Sequence, residues 1–353
     1  MTDRAHRIAV VGAGSWGTAL AHTLACDGVR EVTLWARRRE LAEEIGTTRR
    51  NPAYLGDVPL DTRVRVSSEM HEVVVGAPIV IVAVPTHAMR GVAGEVAEHL
   101  DEGAVVVSAA KGFETGSDLT MTAVLGSVLG SARAPSITAL SGPNIAVEIA
   151  RGLPAATVVG GAESVAAFVR DSCTGPRLRV YSTSDCIGVE YGGALKNIVA
   201  IAAGVSDGIG TGDNGKAAIV TRGLAEMARL GVAAGAHMAT FAGLAGIGDC
   251  VVTCISPHSR NRGLGEAMGR GATLDEALGR VAGVTEGVNA TRVALRIADK
   301  LGVDMPITRE VHAVLFEGKS VRTALSDLMS RDPAAEAHGL GGGDVLQSTR
   351  PGE

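Results

Sequence analysis

The chain has 353 residues, enough for two domains with separate cores. With 46% apolar and 20% charged residues it has the balance of a folded globular protein. A net charge of −5 and only 3% aromatic residues argue against a nucleic-acid partner, while a local cluster of Arg and Lys could still hold a small anion.

In chain order, Arg4, His6 and Arg7 precede an apolar stretch that three glycines and Ser15 interrupt. A strand is therefore expected there rather than a signal peptide. Strands are expected at Ile8-Val11, Val32-Trp35, Ile79-Val84, Val105-Ser108, Ile137-Leu140, Thr157-Val159 and Leu178-Tyr181. Helical patterns fall between most of them, as at Thr18 to Cys26 and His87 to Leu100. This alternation predicts an α/β fold with a largely parallel, doubly wound sheet. From Glu190 to about Met329 there is no convincing strand, and Ala217-Leu230, Asn289-Leu301 and Thr308-Phe316 read as helices. The expected division is a sheet domain over residues 1–189, an all-helical domain over 190–331 and a flexible tail over 332–353. Five cysteines (Cys26, Cys173, Cys186, Cys250 and Cys254) form no C-x-x-C pair. Free thiols, no metal site and a cytoplasmic location follow as expectations. No apolar segment is expected to be long enough to span a membrane.

Gly12-Ala-Gly14-Ser15-Trp16-Gly17 directly follows the first strand and opens the first helix. That is the setting in which a dinucleotide pyrophosphate is held, on a Rossmann-type sheet. Gly12 permits the bend, Gly14 lets the pyrophosphate approach, and Gly17 lets the helix pack close to the strand. The next strand ends in Trp35-Ala-Arg37-Arg38, where sites specific for NAD usually carry an acidic residue. A guanidinium there suits a 2′-phosphate, so NADP(H) is expected as cofactor, with NAD(H) also accepted. The other reading of these arginines is a solvated basic helix start.

Glu190-Tyr-Gly192-Gly193-Ala-Leu-Lys196-Asn197 opens the helical part. On a helix, the Lys196 stem lies over Gly193 and Gly192, where missing side chains would leave room for a ligand. A lysine with a lowered pKa can move the proton that accompanies hydride transfer to a ketone. Close helix packing with an outward lysine is the alternative. Lys111, after a sheet strand, is a candidate second cation. Asp249, in Gly246-Ile-Gly-Asp249, would orient the lysine or simply close a turn. Ser259-Arg260-Asn261 at a helix start offers donors for a phosphate, or else an ordinary cap with a surface arginine.

In this order the motifs resemble the bacterial-type NAD(P)-dependent glycerol-3-phosphate dehydrogenases over residues 7 to 325. The resemblance rests on Gly12-Ala-Gly-Ser-Trp-Gly-Thr-Ala-Leu-Ala21, Lys111-Gly112, Ser141-Gly-Pro-Asn-Ile-Ala146 and Gly193-Ala-Leu-Lys-Asn197. It continues through Asn214-Gly-Lys-Ala-Ala218, Thr221-Arg-Gly223, Gly246-Ile-Gly-Asp249, Thr253-Cys254, Ser259-Arg-Asn261 and Glu286-Gly287. It implies interconversion of sn-glycerol 3-phosphate and dihydroxyacetone phosphate, with Lys196 as proton acceptor. Lys111, Gly142, Asn144, Lys196, Asp249, Ser259, Arg260 and Asn261 would hold the triose phosphate; many relatives carry Ser or Thr where this chain has Asn144. Ser15, Trp16, Arg37, Lys111, Ala146, Arg260, Val284 and Glu286 would contact the cofactor, joining Gly12, Gly14, Gly17 and Arg38. A phosphorylated small molecule is the expected partner, with a homodimer and without nucleic acid or membrane insertion. Two rival readings are a dehydrogenase of a hydroxy acid or ketopantoate-like compound and a non-catalytic NADP(H)-sensing module.

Overall fold

A computed structural model of the chain describes residues 7–281 and 283–332. Arg4, His6 and, past Asp332, the expected flexible tail lie outside the described residues. Eight strands form one sheet: β1 Arg7–Val11, β2 Glu31–Trp35, β3 Val64–Ser67, β4 Ile79–Val82, β5 Val105–Ser108, β6 Ile137–Ser141, β7 Ala155–Gly160 and β8 Leu178–Thr183. Their order is β3-β2-β1-β4-β5-β6-β7-β8, parallel throughout except between β6 and β7. Alternate residues feed opposite layers, as a sheet covered on both faces requires. Ile8 and Val10 join the core on one side, Ala9 and Val11 the core on the other.

Seven of these strands match expected ones. β3 does not, because Arg65 breaks its short apolar run at the sheet edge. The expected strand over 79–84 stops at Val82, where Pro85 turns the chain into the short helical turn Thr86–Ala88.

After β8 the described chain is helical. The helix Cys186–Ile209 runs through the centre of this part and is buried over most of its length. At 24 residues and a mean hydropathy of 1.2, it has the length and composition of a membrane span. So does the segment Met238–Ile255, at 1.7. The expectation that no segment would reach that length is corrected here. The long helix owes its apolarity to a core position, with 78% of its most apolar window buried inside the protein.

Its C-terminal half lies almost backbone to backbone against the helix Arg260–Gly269. A Cβ on Gly204 would fall 2.0 Å from the Arg262 carbonyl oxygen, and one on Gly265 2.0 Å from that of Ile201. Gly208 and Gly269 repeat the pattern one turn on, so four missing side chains bring the helices together.

Several helix starts are capped by carboxylates from elsewhere. Glu190 accepts from the Thr122 backbone N–H at 2.8 Å, at the start of Met121–Leu129. Glu226 accepts from the Ile307 and Thr308 N–H groups at 2.6 and 3.1 Å, at the start of Pro306–Phe316. Burial pushes both carboxyls up, Glu226 to about 7, against the hydrogen bonds that favour their charged forms.

Candidate active site

The parallel strands point their carboxyl ends at one edge, the usual ligand edge of such a sheet. There Gly12 has a φ of +117°, and a Cβ on it would meet the Ala83 carbonyl oxygen at 2.6 Å. A Cβ on Gly17 would sit 1.9 Å from the Gly12 carbonyl oxygen, so this glycine allows the helix Ser15–Ala25 its close approach. Gly14 has nothing within 4 Å of its Cβ position. The space the sequence reserves for a pyrophosphate is therefore open. Buried Asn51 fastens the turn from behind, donating to the Ala13 carbonyl at 2.9 Å and to Thr18 Oγ1 at 2.8 Å.

These residues fit a dinucleotide. The start of the helix Ser15–Ala25, at Gly14, has no side-chain cap, which leaves its first N–H groups for an anion. The buried indole Nε1 of Trp16, on the first turn, has no acceptor among the described residues. Arg37 and Arg38 are exposed at the tip of β2 and have no carboxylate partner among the described residues. Ala146 begins the short helix Ala146–Ala150, and Val284 is exposed two residues before Glu286. Glu286 is engaged across the molecule, accepting from Thr86 N at 3.2 Å and from Thr86 Oγ1 at 2.7 Å.

The polar centre lies at the ends of β5 and β6, against the long helix. Asp249 is 1% exposed and receives two ammonium groups. Lys196 Nζ donates to Oδ1 at 2.5 Å, and Lys111 Nζ donates to Oδ2 at 2.6 Å. Lys196 also donates to Thr253 Oγ1 at 2.8 Å, whose own hydroxyl donates to the Asp249 carbonyl at 2.6 Å. Lys111 also donates to the Gly142 carbonyl at 2.9 Å, and Ser141 Oγ donates to Asp249 at 3.3 Å. An ammonium has three N–H donors, so each lysine keeps one uncommitted. Two cations on one anion leave the cluster with a net positive charge.

Burial pulls the Lys111 ammonium down to about 8; Asp249 opposes the fall and Lys196 adds to it. Burial of Asp249 disfavours its charge, but the two ammonium groups outweigh it and hold the carboxyl below its usual range. Lys196 is 7% exposed, which rules out the outward lysine.

The glycines before Lys196 have a different reason from the one expected. A Cβ on Gly192 would lie 2.4 Å from the Ala245 carbonyl oxygen, and one on Gly193 2.6 Å from Ser141 Oγ and 3.4 Å from the Lys111 stem. They seat the long helix against protein rather than clear a space for ligand.

Ser259 caps the helix Arg260–Gly269, its Oγ accepting from Arg262 N at 3.2 Å. Its hydroxyl proton is not used there. Asn261 donates to Asn197 Oδ1 at 2.9 Å and accepts from Gly287 N at 3.1 Å, so much of its amide is structural and one N–H remains. Through Asn197, the neighbour of Lys196, this helix start is joined to the lysine centre. Arg260 is exposed beside Gly283, in the field of Glu286. Asn144 bonds the sheet, donating to the Ala156 carbonyl at 3.3 Å and accepting from Thr157 at 3.2 Å. Thr253, Asn197 and Ser141 belong to this network, and Asn51 to the glycine turn, without having been singled out as site residues. Thr253 had a signal, standing four residues after Asp249 on one helix; Asn51 had none.

Cys250 and Cys254 are buried behind this centre as free thiols, 4.0 Å apart.

Residues 7–167 match the family model described as NAD-dependent glycerol-3-phosphate dehydrogenase N-terminus, and residues 185–326 match its C-terminus. The chain belongs to this family. It is 47% identical over 331 residues to a glycerol-3-phosphate dehydrogenase of Geobacter metallireducens named for NAD(P)+, covering 94% of this chain and 98% of that one. A counterpart from Parafrankia sp., also named for NAD(P)+, is 49% identical with the same coverage. The crystal structure of the glycerol-3-phosphate dehydrogenase from Coxiella burnetii is similar with a TM-score of 0.86 and 35% identity. It spans 92% of this chain and 99% of that one. The family's α/β sheet followed by helices is the architecture described above.

Proposed function

We propose that this enzyme interconverts sn-glycerol 3-phosphate and dihydroxyacetone phosphate by hydride transfer with NADP(H) or NAD(H), supplying glycerol 3-phosphate for phospholipid synthesis. The observation that carries the reading is the pair of ammonium groups converging on buried Asp249 at the ligand edge of a dinucleotide-binding sheet. The nicotinamide supplies or takes the hydride. As a ketone is reduced, the third N–H of Lys196 gives its proton to the carbonyl oxygen; in the other direction the neutral amine takes the hydroxyl proton. Asp249 and Thr253 hold the amine in both protonation states. Lys111 aims its free N–H at the substrate anion and keeps charge there below about pH 8. Ser259, Arg260 and the spare N–H of Asn261 hold the phosphate, while Gly142 and Asn144 border the triose. Binding at the phosphate then positions the reacting carbon.

Ser15, Trp16, Ala146, Val284 and Glu286 line the cofactor, with Arg37 and Arg38 at the adenosine ribose. We divide the chain at residues 189 and 190, the earlier part holding cofactor and the later part substrate. We also propose a homodimer in the cytoplasm, where free cysteines such as these persist.

The direct test is reduction of dihydroxyacetone phosphate beside ketopantoate, with NADH and NADPH in parallel. Turnover of the triose phosphate alone is the expected result; preference for the acid rejects the assignment. Arg37→Ala lowers the NADPH to NADH ratio of kcat/KM about 10- to 100-fold, the loss of a charge-assisted phosphate contact. An unchanged ratio removes Arg37 from the ribose site. Arg260→Ala raises KM for dihydroxyacetone phosphate by a similar factor of about 10 to 100 and leaves kcat within a few-fold. A constant KM counts against the phosphate cradle.

A further inference from the structure

Lys111 stands just past the end of β5, on a stretch that the sheet does not hold. Among the described residues, no backbone N–H from Ala110 to Phe113 has a backbone acceptor. What fixes this stretch comes from the helical part, above all from the helix Glu286–Leu301. Gly112 crosses with a φ of +153°, and a Cβ on it would fall 2.9 Å from Thr86 Cγ2 and 3.5 Å from Glu286 Oε2. Phe113 is 1% exposed and belongs to the helical core, edge-to-face with Tyr191 at 5.4 Å between ring centres. Its carbonyl oxygen accepts from Asn289 Nδ2 at 3.1 Å, and Asn289 Oδ1 accepts from Thr115 Oγ1 at 3.0 Å. Further along, Asp118 accepts from Arg296 at 2.6 Å and from Lys300 at 3.1 Å. Glu286, Asn289, Arg296 and Lys300 follow at intervals of three, seven and four, so they share one face of their helix.

We propose that Asn289 is a positioning residue for the reaction, holding the Phe113 carbonyl so that Lys111 points its free N–H at the substrate anion. The inference rests on Lys111 binding that anion, as set out above. The Lys111 ammonium ends a flexible four-carbon stem, so its place depends on where its backbone is held. Its bonds to Asp249 at 2.6 Å and to the Gly142 carbonyl at 2.9 Å leave little slack. Holding a carbonyl and a hydroxyl together takes a donor and an acceptor on one short side chain, which an amide supplies. Arg296 and Lys300 do not replace it. They grip the loop seven residues from Lys111, and their ion pairs with Asp118 are made by side chains 44% and 68% exposed. Exposed pairs of this kind hold weakly. Asn289 acts two residues from Lys111, one turn along from Glu286.

Steady-state kinetics of the full chain at pH 7, below the value of about 8 at which Lys111 loses its charge, test this. Asn289→Ala is expected to raise KM for dihydroxyacetone phosphate about 3- to 10-fold, the loss of one neutral hydrogen bond. Its kcat stays within about two-fold because Lys196 is untouched, and its NADPH affinity by fluorescence titration is unchanged. Lys111→Ala raises KM by a larger factor. In the double variant Asn289→Ala adds nothing to Lys111→Ala, because the first residue acts through the second. Factors that multiply instead make Asn289 a mere support of the fold and overturn the inference, as does a wild-type KM in Asn289→Ala. A wild-type KM in Lys111→Ala overturns the reading of Lys111 itself. Should Asn289→Ala fold poorly, Asn289→Ser enters the same cycle and is decided by the same outcomes.

Discussion

Lys196→Ala lowers kcat for dihydroxyacetone phosphate by about 10²- to 10⁴-fold, the share that a positioned proton donor contributes. The fold should tolerate the change. Asp249 keeps Lys111 as a partner at 2.6 Å, so no buried charge is left alone. NADPH affinity, measured by fluorescence titration, stays at the wild-type value because the glycine turn and Arg37 are untouched. Lys196→Arg does not restore turnover, since a guanidinium keeps its proton throughout the accessible pH range. Small primary amines added to Lys196→Ala should restore part of it, a response that a merely structural lysine would not show. A variant with near wild-type kcat would remove Lys196 from proton transfer.

Asp249→Asn has the larger effect on stability. It leaves two buried ammonium groups facing each other without a counter-ion, which costs about 3–5 kcal/mol at neutral pH. The variant relieves this by releasing a proton, and Lys111, already down to about 8, falls further. A lysine whose pKa is depressed in the folded state binds fewer protons there than when unfolded. Stability therefore rises with pH between the folded value and the ordinary 10.5. The difference in Tm between wild type and Asp249→Asn should accordingly be widest at or below pH 7 and narrow towards pH 9. A difference independent of pH would show that Asp249 acts through packing alone. Activity falls with it, because each amine loses its charged partner, Lys196 keeping Thr253 and Lys111 the Gly142 carbonyl.

Much of this was legible along the chain, and the reason is the kind of residue involved. A glycine turn needs glycine at fixed offsets, and a carboxylate or lysine inside a glycine-rich helical stretch stands out. Lys111, Lys196 and Asp249 could each be picked out this way, and an orienting contact from Asp249 to Lys196 is among the expectations; that Lys111 meets the same carboxylate, across 138 residues of chain, is not. Thr253, Asn197, Ser141 and Asn51 are ordinary residues whose importance lies only in what reaches them. Gly192 and Gly193 attracted notice correctly but for the wrong cause, because sequence shows a missing side chain and not what fills the gap. β3 escaped for the opposite reason: an edge strand exposed on one side can carry Arg65 and lose its pattern. The length and apolarity of the long helix were underestimated because Glu190, Lys196 and Asn197 punctuate it, although all three are buried.

Lys111 arrives from the sheet, while Lys196 and Asp249 arrive from the helices; a second clasp, Thr86 to Glu286, spans the same seam. Each side also packs apolar cores of its own, with Phe113 of the sheet part reaching into the helical one. Slippage of about one ångström along that seam would leave every strand and helix intact and still scatter the electrostatic arrangement on which turnover depends. Enzymatic rate is thus a finer gauge of how the two halves mate than any measure of folded content.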